Sequence, residues 1–366
     1  MGIVNRNLKL GNRERMIRTC LNQDIDRIPL FFMQGAWVET MARWRKEGMK
    51  EEDWSERFGF DIGFVNLPVN IGYCPGFERV VLSEDDDTRT IRDEQGVTFV
   101  EKKGYTSIPR YIDYPVKTRE DWELLKKERL DLHSPERFPD DWHEVIQKLK
   151  EQDAAIQIGT YPHGLFGTLR EMMGAEELLI NFIDEPELVH EIMDYLTDFW
   201  IAMYQMILRD VQIDIIHIWE DMSGKQGSLI SPAMFREFMM PNYKKIVSFA
   251  KENDIPIISV DTDGNVDGLM PLFEESGINF VLPFEVQAGC DVVALKKQYP
   301  NIAMLGGYDK RAIAIDTAAI DHELNRLRQL FDFSGYIPAP DHQIHPEVSY
   351  ENFCYFIEKL RKMIFT

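Results

Sequence analysis

The sequence predicts an α/β fold, a (β/α)8 barrel, in a chain of 366 residues. Short apolar runs alternate with helical stretches, and such runs are typical of parallel strands buried on both faces. Acidic or histidine side chains follow five consecutive runs. The chain is also longer than the roughly 250 residues of a barrel. The alternation alone fits either a (β/α)8 barrel or a doubly wound sheet.

The predicted strands and helices follow from these apolar runs and from helix-start signals. The predicted strands are residues 28–33, 154–158, 213–219, 255–260, 279–284, 302–305 and 336–339. Ser231 before Pro232 predicts a helix start, because serine caps helices and proline fits their first position. That helix should end near Asn253. Ser349 predicts the start of a last helix that ends near Phe365.

One segment interrupts the alternation. Residues 77–116 are short and β-like, with a turn signal at Asp93-Glu94-Gln95-Gly96. We therefore expect a single domain, residues 1–366, with extra N-terminal helices and an antiparallel hairpin inserted at about residues 75–118. The insertion and the charged stretch 118–141 account for the length beyond a minimal barrel.

Composition excludes several classes of protein. Lys and Arg total 41 against 62 Asp and Glu, so the net charge of −21 argues against nucleic-acid binding. No run of about 18 apolar residues is present, which argues against a transmembrane helix. The four cysteines are scattered without a C-x-x-C pair, which predicts a reduced, cytoplasmic protein.

The polar residues at the strand ends are the candidate functional residues, because catalytic groups of barrels lie at the carboxyl ends of strands. We predict catalytic roles for Asp263, His217, Glu220 and His342. Substrate-binding roles are predicted for Trp219, Asp221, Glu285, Asp309, Asp341 and Arg170.

Each of these residues also has an ordinary structural interpretation. His217 alternates with isoleucines and can be a core histidine, and Trp219 can be simple core. Asp261 and Asp263 are two residues apart and can share a strand face, where two close carboxylates suit acid–base work or a bound cation. Alternatively, Asp263 shapes a turn with Gly264. Neither a G-x-S-x-G nor an H-E-x-x-H motif is present.

Several motifs resemble the uroporphyrinogen decarboxylase family. They are Asp26-Arg27-Ile28-Pro29-Leu30, residues 229–232 with 235–241, Gly306-Gly307-Tyr308-Asp309 and residues 346–352. The resemblance covers nearly the whole chain in order and implies a (β/α)8 barrel with its cleft at the strand carboxyl ends. Its two branches are decarboxylases of tetrapyrrole side chains, which use no cofactor, and corrinoid-system methyltransferases, which use zinc.

The sequence departs from both branches. The decarboxylases carry Arg-Gln-Ala-Gly-Arg where this chain has Met33-Gln34-Gly35-Ala36-Trp37, so the arginines that bind substrate carboxylates are missing. The stretch around Asp61 resembles the one that carries the catalytic aspartate of the decarboxylases. The methyltransferases carry His-x-Cys-Gly where this chain has Asp261-Thr262-Asp263-Gly264, and their distant cysteine corresponds to the region of Asp341 and His342.

The resemblance is therefore nearer to the methyltransferases, with thiolate ligands replaced by oxygen and nitrogen donors. It implies a divalent metal, zinc or a harder ion, held by Asp261, Asp263 and His342.

Three functional hypotheses remain. The first is a methyltransferase acting with a methylated small molecule or with a corrinoid carried by a partner protein. The second is a decarboxylase of a tetrapyrrole or a smaller acid, with Asp263 or Asp61 as proton donor. The third is a non-catalytic corrinoid- or tetrapyrrole-binding protein. A homodimer is the expected assembly.

Overall fold

The structure, a computed structural model, describes residues 2–50, 54–104 and 108–365. Its strands are β1 Phe64–Asn66, β2 Val80–Glu84, β3 Thr88–Arg92, β4 Thr98–Lys102, β5 Arg110–Asp113, β6 Ala155–Ile158, β7 Ile215–Trp219, β8 Ser223–Gly224, β9 Gly227–Ser228, β10 Ile257–Asp261, β11 Phe280–Leu282, β12 Ala303–Tyr308 and β13 Tyr336–Pro340.

Its helices precede, separate and follow these strands. They are α1 Asn12–Cys20, α2 Val38–Lys46, α3 Trp54–Phe58, α4 Arg119–Arg129, α5 Trp142–Glu151, α6 Leu165–Met173, α7 Ala175–Asp184, α8 Pro186–Ile207, α9 Pro232–Met234, α10 Met240–Glu252, α11 Met270–Ser276, α12 Val292–Gln298, α13 Lys310–Ile315, α14 Thr317–Leu327 and α15 Tyr350–Phe365. A π-helical turn, Phe235–Met239, joins α9 to α10.

The centre of the fold is a parallel sheet with the strand order β1-β6-β7-β10-β11-β12-β13. Six of its seven strands lie at predicted positions. The predicted strand at residues 28–33 is wrong, and β1, which was not predicted, is the first strand of the sheet. Leu30 explains the difference. Its N–H donates to the Asp61 carboxylate at 2.8 Å, so this backbone group bonds a side chain and not a neighbouring strand. The structure thus shows a curled parallel sheet of seven strands, which confirms part of the predicted barrel.

The helix α1 closes the amino-terminal end of this sheet. Met16 and Cys20 are buried against the side chains at the starts of the strands, such as Ile215 and Ile257. Arg13 Nη2 also bonds Asp214 Oδ1, immediately before β7, at 2.6 Å. The opposite, carboxyl-terminal end of the strands is therefore the end that remains open for a site.

Asp61 lies at the closed end. It precedes β1 and accepts hydrogen bonds from Arg27 at 2.7 Å and from Arg15 at 3.2 Å, and Arg15 is itself part of α1. Its side chain is only 6% exposed. The structure therefore contradicts the proton-donor role considered for Asp61, because the group is an ion-pair partner at the wrong end of the strands.

The inserted segment contains an antiparallel sheet of the order β2-β3-β4-β5. The sequence indicated one hairpin, whereas the structure has four strands. The turn signal joins β3 to β4: Asp93 N–H donates to Val97 O at 3.0 Å, and Gly96 has a φ of +82°. A positive φ favours glycine, which lacks a Cβ.

Two predicted helix starts are confirmed by their caps. Ser231 Oγ accepts the Met234 N–H at 3.2 Å where α9 begins. Ser349 Oγ accepts the Asn352 N–H at 3.2 Å where α15 begins. In the described parts of the chain, no helix combines the length and the apolar character that crossing a membrane requires.

Candidate active site

Three polar side chains meet at the carboxyl-terminal end of the parallel sheet. Asp263 follows β10, Glu285 follows β11 and His342 follows β13. One donor atom from each lies within 4.8 Å of the others, and His342 Nε2 is 3.4 Å from Asp263 Oδ2. The three side chains are partly exposed and face the same opening. We call Asp263, Glu285 and His342 the donor cluster.

The backbone around Gly264 fixes this cluster. Gly264 has a φ of +83°, and a Cβ there would lie 2.5 Å from the carbonyl oxygen of Ser223, so only glycine fits. Its N–H donates to Glu285 Oε2 at 3.0 Å, which ties the loop after β11 to the loop after β10. The D-x-D-G stretch thus positions both Asp263 and Glu285.

The donor cluster contains two acidic groups and only one basic group. The hydrogen bond with Asp263 raises the pKa of His342 above its ordinary value. Burial raises the pKa of Glu285, and the nearby Asp263 carboxylate raises it further. Two carboxylates and an imidazole are an oxygen- and nitrogen-rich donor set that fits zinc, manganese or iron(II). A cation would relieve the repulsion between the two acids.

Asp261 lies apart from the donor cluster, deeper in the sheet. As the last residue of β10, it places Oδ2 3.9 Å from His217 Nε2 on the neighbouring strand β7. Burial raises the pKa of Asp261 to about 8 and lowers the pKa of His217 to about 3. His217 Nδ1 is 2.8 Å from Ser259 Oγ. The predicted metal set contained Asp261, whereas the structure brings Glu285 into that group.

Arg170, Trp219 and Asp221 form one side of the opening. Arg170 Nη1 donates to Asp221 Oδ2 at 2.5 Å and to Asp221 O at 2.6 Å. The guanidinium carbon lies 5.5 Å from the centre of the Trp219 ring. Burial raises the pKa of Asp221, with a further contribution from Asp263. The Arg170 charge is thus already neutralised by a carboxylate.

Glu220 is fully buried rather than open to the cleft. Its carboxylate accepts the N–H groups of Leu165, Phe166 and Gly167 at 2.6–3.0 Å and the hydroxyl of Tyr243 at 2.5 Å. Burial raises its pKa to about 7, although these four donors favour the ionised form. The structure therefore places Glu220 as a buried cap of α6.

Asp341 and Asp309 also bond backbone groups. Asp341 is fully buried and accepts the N–H groups of Val286 at 2.9 Å and Lys310 at 3.2 Å, so it links the loops after β11 and β12. Asp309 Oδ1 accepts the Arg311 N–H at 3.0 Å and caps α13. Both were predicted to bind substrate, and the structure shows both bonded to backbone groups of the loops around the donor cluster.

Comparison with known proteins places the chain in a family. Residues 87–363 match the model of the family described as uroporphyrinogen decarboxylase (URO-D). The chain belongs to the uroporphyrinogen decarboxylase family. A uroporphyrinogen decarboxylase from Desulfotalea psychrophila (strain LSv54 / DSM 12343) is 24% identical over 163 residues, which cover 44% of this chain and 45% of that protein. The match therefore spans less than half of that relative's length.

A solved structure extends the likeness to nearly the whole chain. A methyltransferase from Methanosarcina mazei is 15% identical, covers 98% of this chain and 100% of that chain, and has a TM-score of 0.60. At this level of identity the likeness establishes a shared fold.

In this member of the uroporphyrinogen decarboxylase family, residues 33–37 have a structural role. Trp37 N–H donates to Ile344 O at 3.0 Å, and Ala36 forms a bridge with Ile344. The segment therefore packs against the chain after β13. It supplies no cation for a substrate carboxylate, in agreement with its sequence.

Proposed function

We propose that the protein is a methyltransferase that moves a methyl group between a methylated small molecule and a corrinoid carried by a partner protein. The observation that supports this proposal is the donor cluster, Asp263, Glu285 and His342, at the open end of the sheet. Family membership and the fold shared with a methyltransferase are consistent with it.

Asp263, Glu285 and His342 would hold a divalent metal ion. When bound, such an ion supplies Lewis acidity to a substrate oxygen. Because oxygen and imidazole donors suit harder ions than thiolates do, the cluster favours a methyl group carried on oxygen over a thiol acceptor. Asp261 and His217 lie below the cluster and are the candidate acid–base pair.

The transfer conserves atoms and electrons. A reduced corrinoid on the partner protein would supply the electron pair for the new bond to the methyl carbon, while the pair of the broken carbon–oxygen bond would stay on the substrate oxygen. The product oxygen would then take a proton, a role that we assign to Asp261, whose Oδ2 lies 3.9 Å from His217 Nε2. The role of this chain is to hold the oxygen end of the substrate and to bring a proton to it.

A methyl-transfer assay tests the proposal. The purified protein is mixed with chemically reduced cobalamin and, separately, with a methoxyphenol, a methylamine or a methyl thioether, and methylcobalamin formation is followed by absorbance. We expect turnover with the methoxyphenol and at least about 100-fold loss in Asp263→Ala and His342→Ala, since each removes a ligand.

The matched control is Asp267→Ala, an exposed acid of the same loop that lies outside the donor cluster. It should retain wild-type activity. Absence of methylcobalamin with every donor, or equal rates in wild type and in both cluster variants, would contradict the proposal.

A further inference from the structure

A cavity of about 350 Å³ lies among loops at the carboxyl-terminal end of the sheet, the end that also carries the donor cluster. The loop after β1, the loop after β6 and the β3–β4 turn line it. Its walls combine polar and apolar groups in nearly equal measure, and the apolar part includes the rings of Tyr73, Tyr161 and Trp200 and the side chains of Ile71 and Leu196. This volume is near the lower end of the range of small-molecule sites, about 300–1,000 Å³.

Tyr161 connects this cavity to the candidate site. It lines the cavity, and its ring meets the Trp219 ring edge-to-face with the centroids 4.7 Å apart. Trp219 in turn lies below Arg170, the partner of Asp221 at the edge of the opening. The cavity and the donor cluster are thus formed by loops at the same end of the sheet.

A hydrogen bond to a buried carboxylate fixes the orientation of Tyr161. Its hydroxyl donates to Glu171 Oε2 at 2.8 Å, and Glu171 is only 8% exposed. Half of the Tyr161 residue, 51%, nevertheless remains exposed. A flat, half-open aromatic surface of this kind is suited to stacking with another ring.

The charges around the cavity disfavour an anion. Among the described residues that line it, none is Lys or Arg, and the one carboxylate is Glu94. Two arginines lie close by, but neither lines the cavity: Arg79 pairs with Glu94 at 3.4 Å, and Arg129 is held by the carbonyls of Pro75 and Gly76.

His163 supplies no positive charge either. Its Nδ1 lies 2.7 Å from His217 O and its Nε2 lies 2.6 Å from the Tyr204 hydroxyl, so both nitrogens are used. The Gln95 amide and the Thr160 hydroxyl remain as neutral hydrogen-bonding groups on the wall.

We propose that this cavity binds the body of the methyl donor and that the donor is a neutral molecule with a single aromatic ring. The proposal rests on the proposed methyltransferase function and names its substrate class. Tyr161 stacks on the ring, Gln95 or Thr160 bonds a hydroxyl substituent, and the wall offers no cation to a carboxylate among its described residues.

Binding to metal-free protein tests the proposal separately from turnover. Protein treated with a chelator is titrated with phenol, with cyclohexanol as the non-aromatic match and with benzoate as the anionic match, by calorimetry or ligand-observed NMR. We expect phenol to bind at least about tenfold more tightly than either of the others.

Variants locate the bound probe. Tyr161→Leu should weaken phenol binding about tenfold or more, and Leu196→Trp, which fills the cavity, should do the same. Tyr111→Leu, an exposed tyrosine outside the cavity, is the control and should bind phenol as wild type does. Glu94→Gln should reduce the difference in affinity between phenol and benzoate.

Each outcome decides the proposal. Phenol binding that is unchanged in both cavity variants, benzoate binding as tight as phenol, or no phenol binding would overturn it. Because no metal and no corrinoid are present, a failed methyl-transfer assay with intact phenol binding would contradict the function and leave the aromatic site supported.

Discussion

His163 is a buried histidine whose neutral form is fully bonded. Its two ring nitrogens meet His217 O and the Tyr204 hydroxyl, and the residue is 4% exposed. Burial lowers the pKa of His163 to about 4. The unfolded chain therefore takes up a proton near pH 6.5, whereas the folded chain takes it up only near pH 4.

This difference predicts acid sensitivity. The stability that His163 contributes is complete above pH 6.5 and is lost as the pH falls toward 4, on the order of 3 kcal/mol in total. We expect His163→Asn to be less stable at pH 7 but to show a shallower decline of the unfolding free energy between pH 6.5 and 4. Urea unfolding at several pH values measures both, and parallel pH profiles of wild type and variant would contradict the assignment.

Glu220 offers a second prediction for a single residue. Glu220→Gln keeps the size of the side chain but places an amide NH₂ group, itself a donor, against the N–H and hydroxyl donors that bond the carboxylate. We therefore expect the free energy of unfolding to fall by about 2 kcal/mol. Thermal unfolding measures the loss. Glu177→Gln, an exposed acid of α7, is the control and should be nearly neutral. An unchanged midpoint with lost methyl transfer would instead restore a catalytic role for Glu220.

The sequence predicts which residues end the strands but not where their side chains point. Asp263 and His342 lie in the donor cluster, whereas Glu220 and Asp341 bond backbone N–H groups from other loops. Those partners are 54 and 55 residues away along the chain. No local pattern distinguishes a carboxylate that caps a distant helix from one that faces a cleft.

Among the secondary-structure elements, the N-terminal segment shows the limit of apolar runs as evidence. Residues 28–33 are apolar enough to predict a strand, but Leu30 pairs with Asp61 instead. The strand β1 has only three residues, too few for a distinct apolar run. The other six strands of the sheet were predictable because each is longer or lies inside a longer buried stretch.

The attachment of α1 predicts the effect of changing Asp61. Asp61→Asn leaves the buried guanidinium of Arg15 and the Arg27 side chain short of a negative charge, which should lower the free energy of unfolding by about 3 kcal/mol. Methyl transfer per folded molecule should be unchanged, since Asp61 lies at the closed end. Loss of activity with unchanged stability would contradict this assignment.

At the scale of the whole molecule, the absence of the carboxylate-binding arginines predicts the fate of a decarboxylase substrate. The purified protein should not convert uroporphyrinogen to coproporphyrinogen, because residues 33–37 offer no cation and Arg170 is paired with Asp221. Chromatography of the porphyrins after oxidation measures the product. Sustained conversion would promote the decarboxylase hypothesis over methyl transfer.

The central claim is that three strands bring Asp263, Glu285 and His342 together to hold a metal ion. The most direct measurement is the metal content of untagged, purified protein by mass spectrometry, in wild type, Asp263→Ala, Glu285→Ala, His342→Ala and the control Asp267→Ala. We predict about one divalent ion per chain in wild type and control, and a loss of about tenfold or more in affinity in each cluster variant. Metal-free wild type that transfers methyl groups in the presence of a chelator, or full metal content in all three cluster variants, would contradict the account.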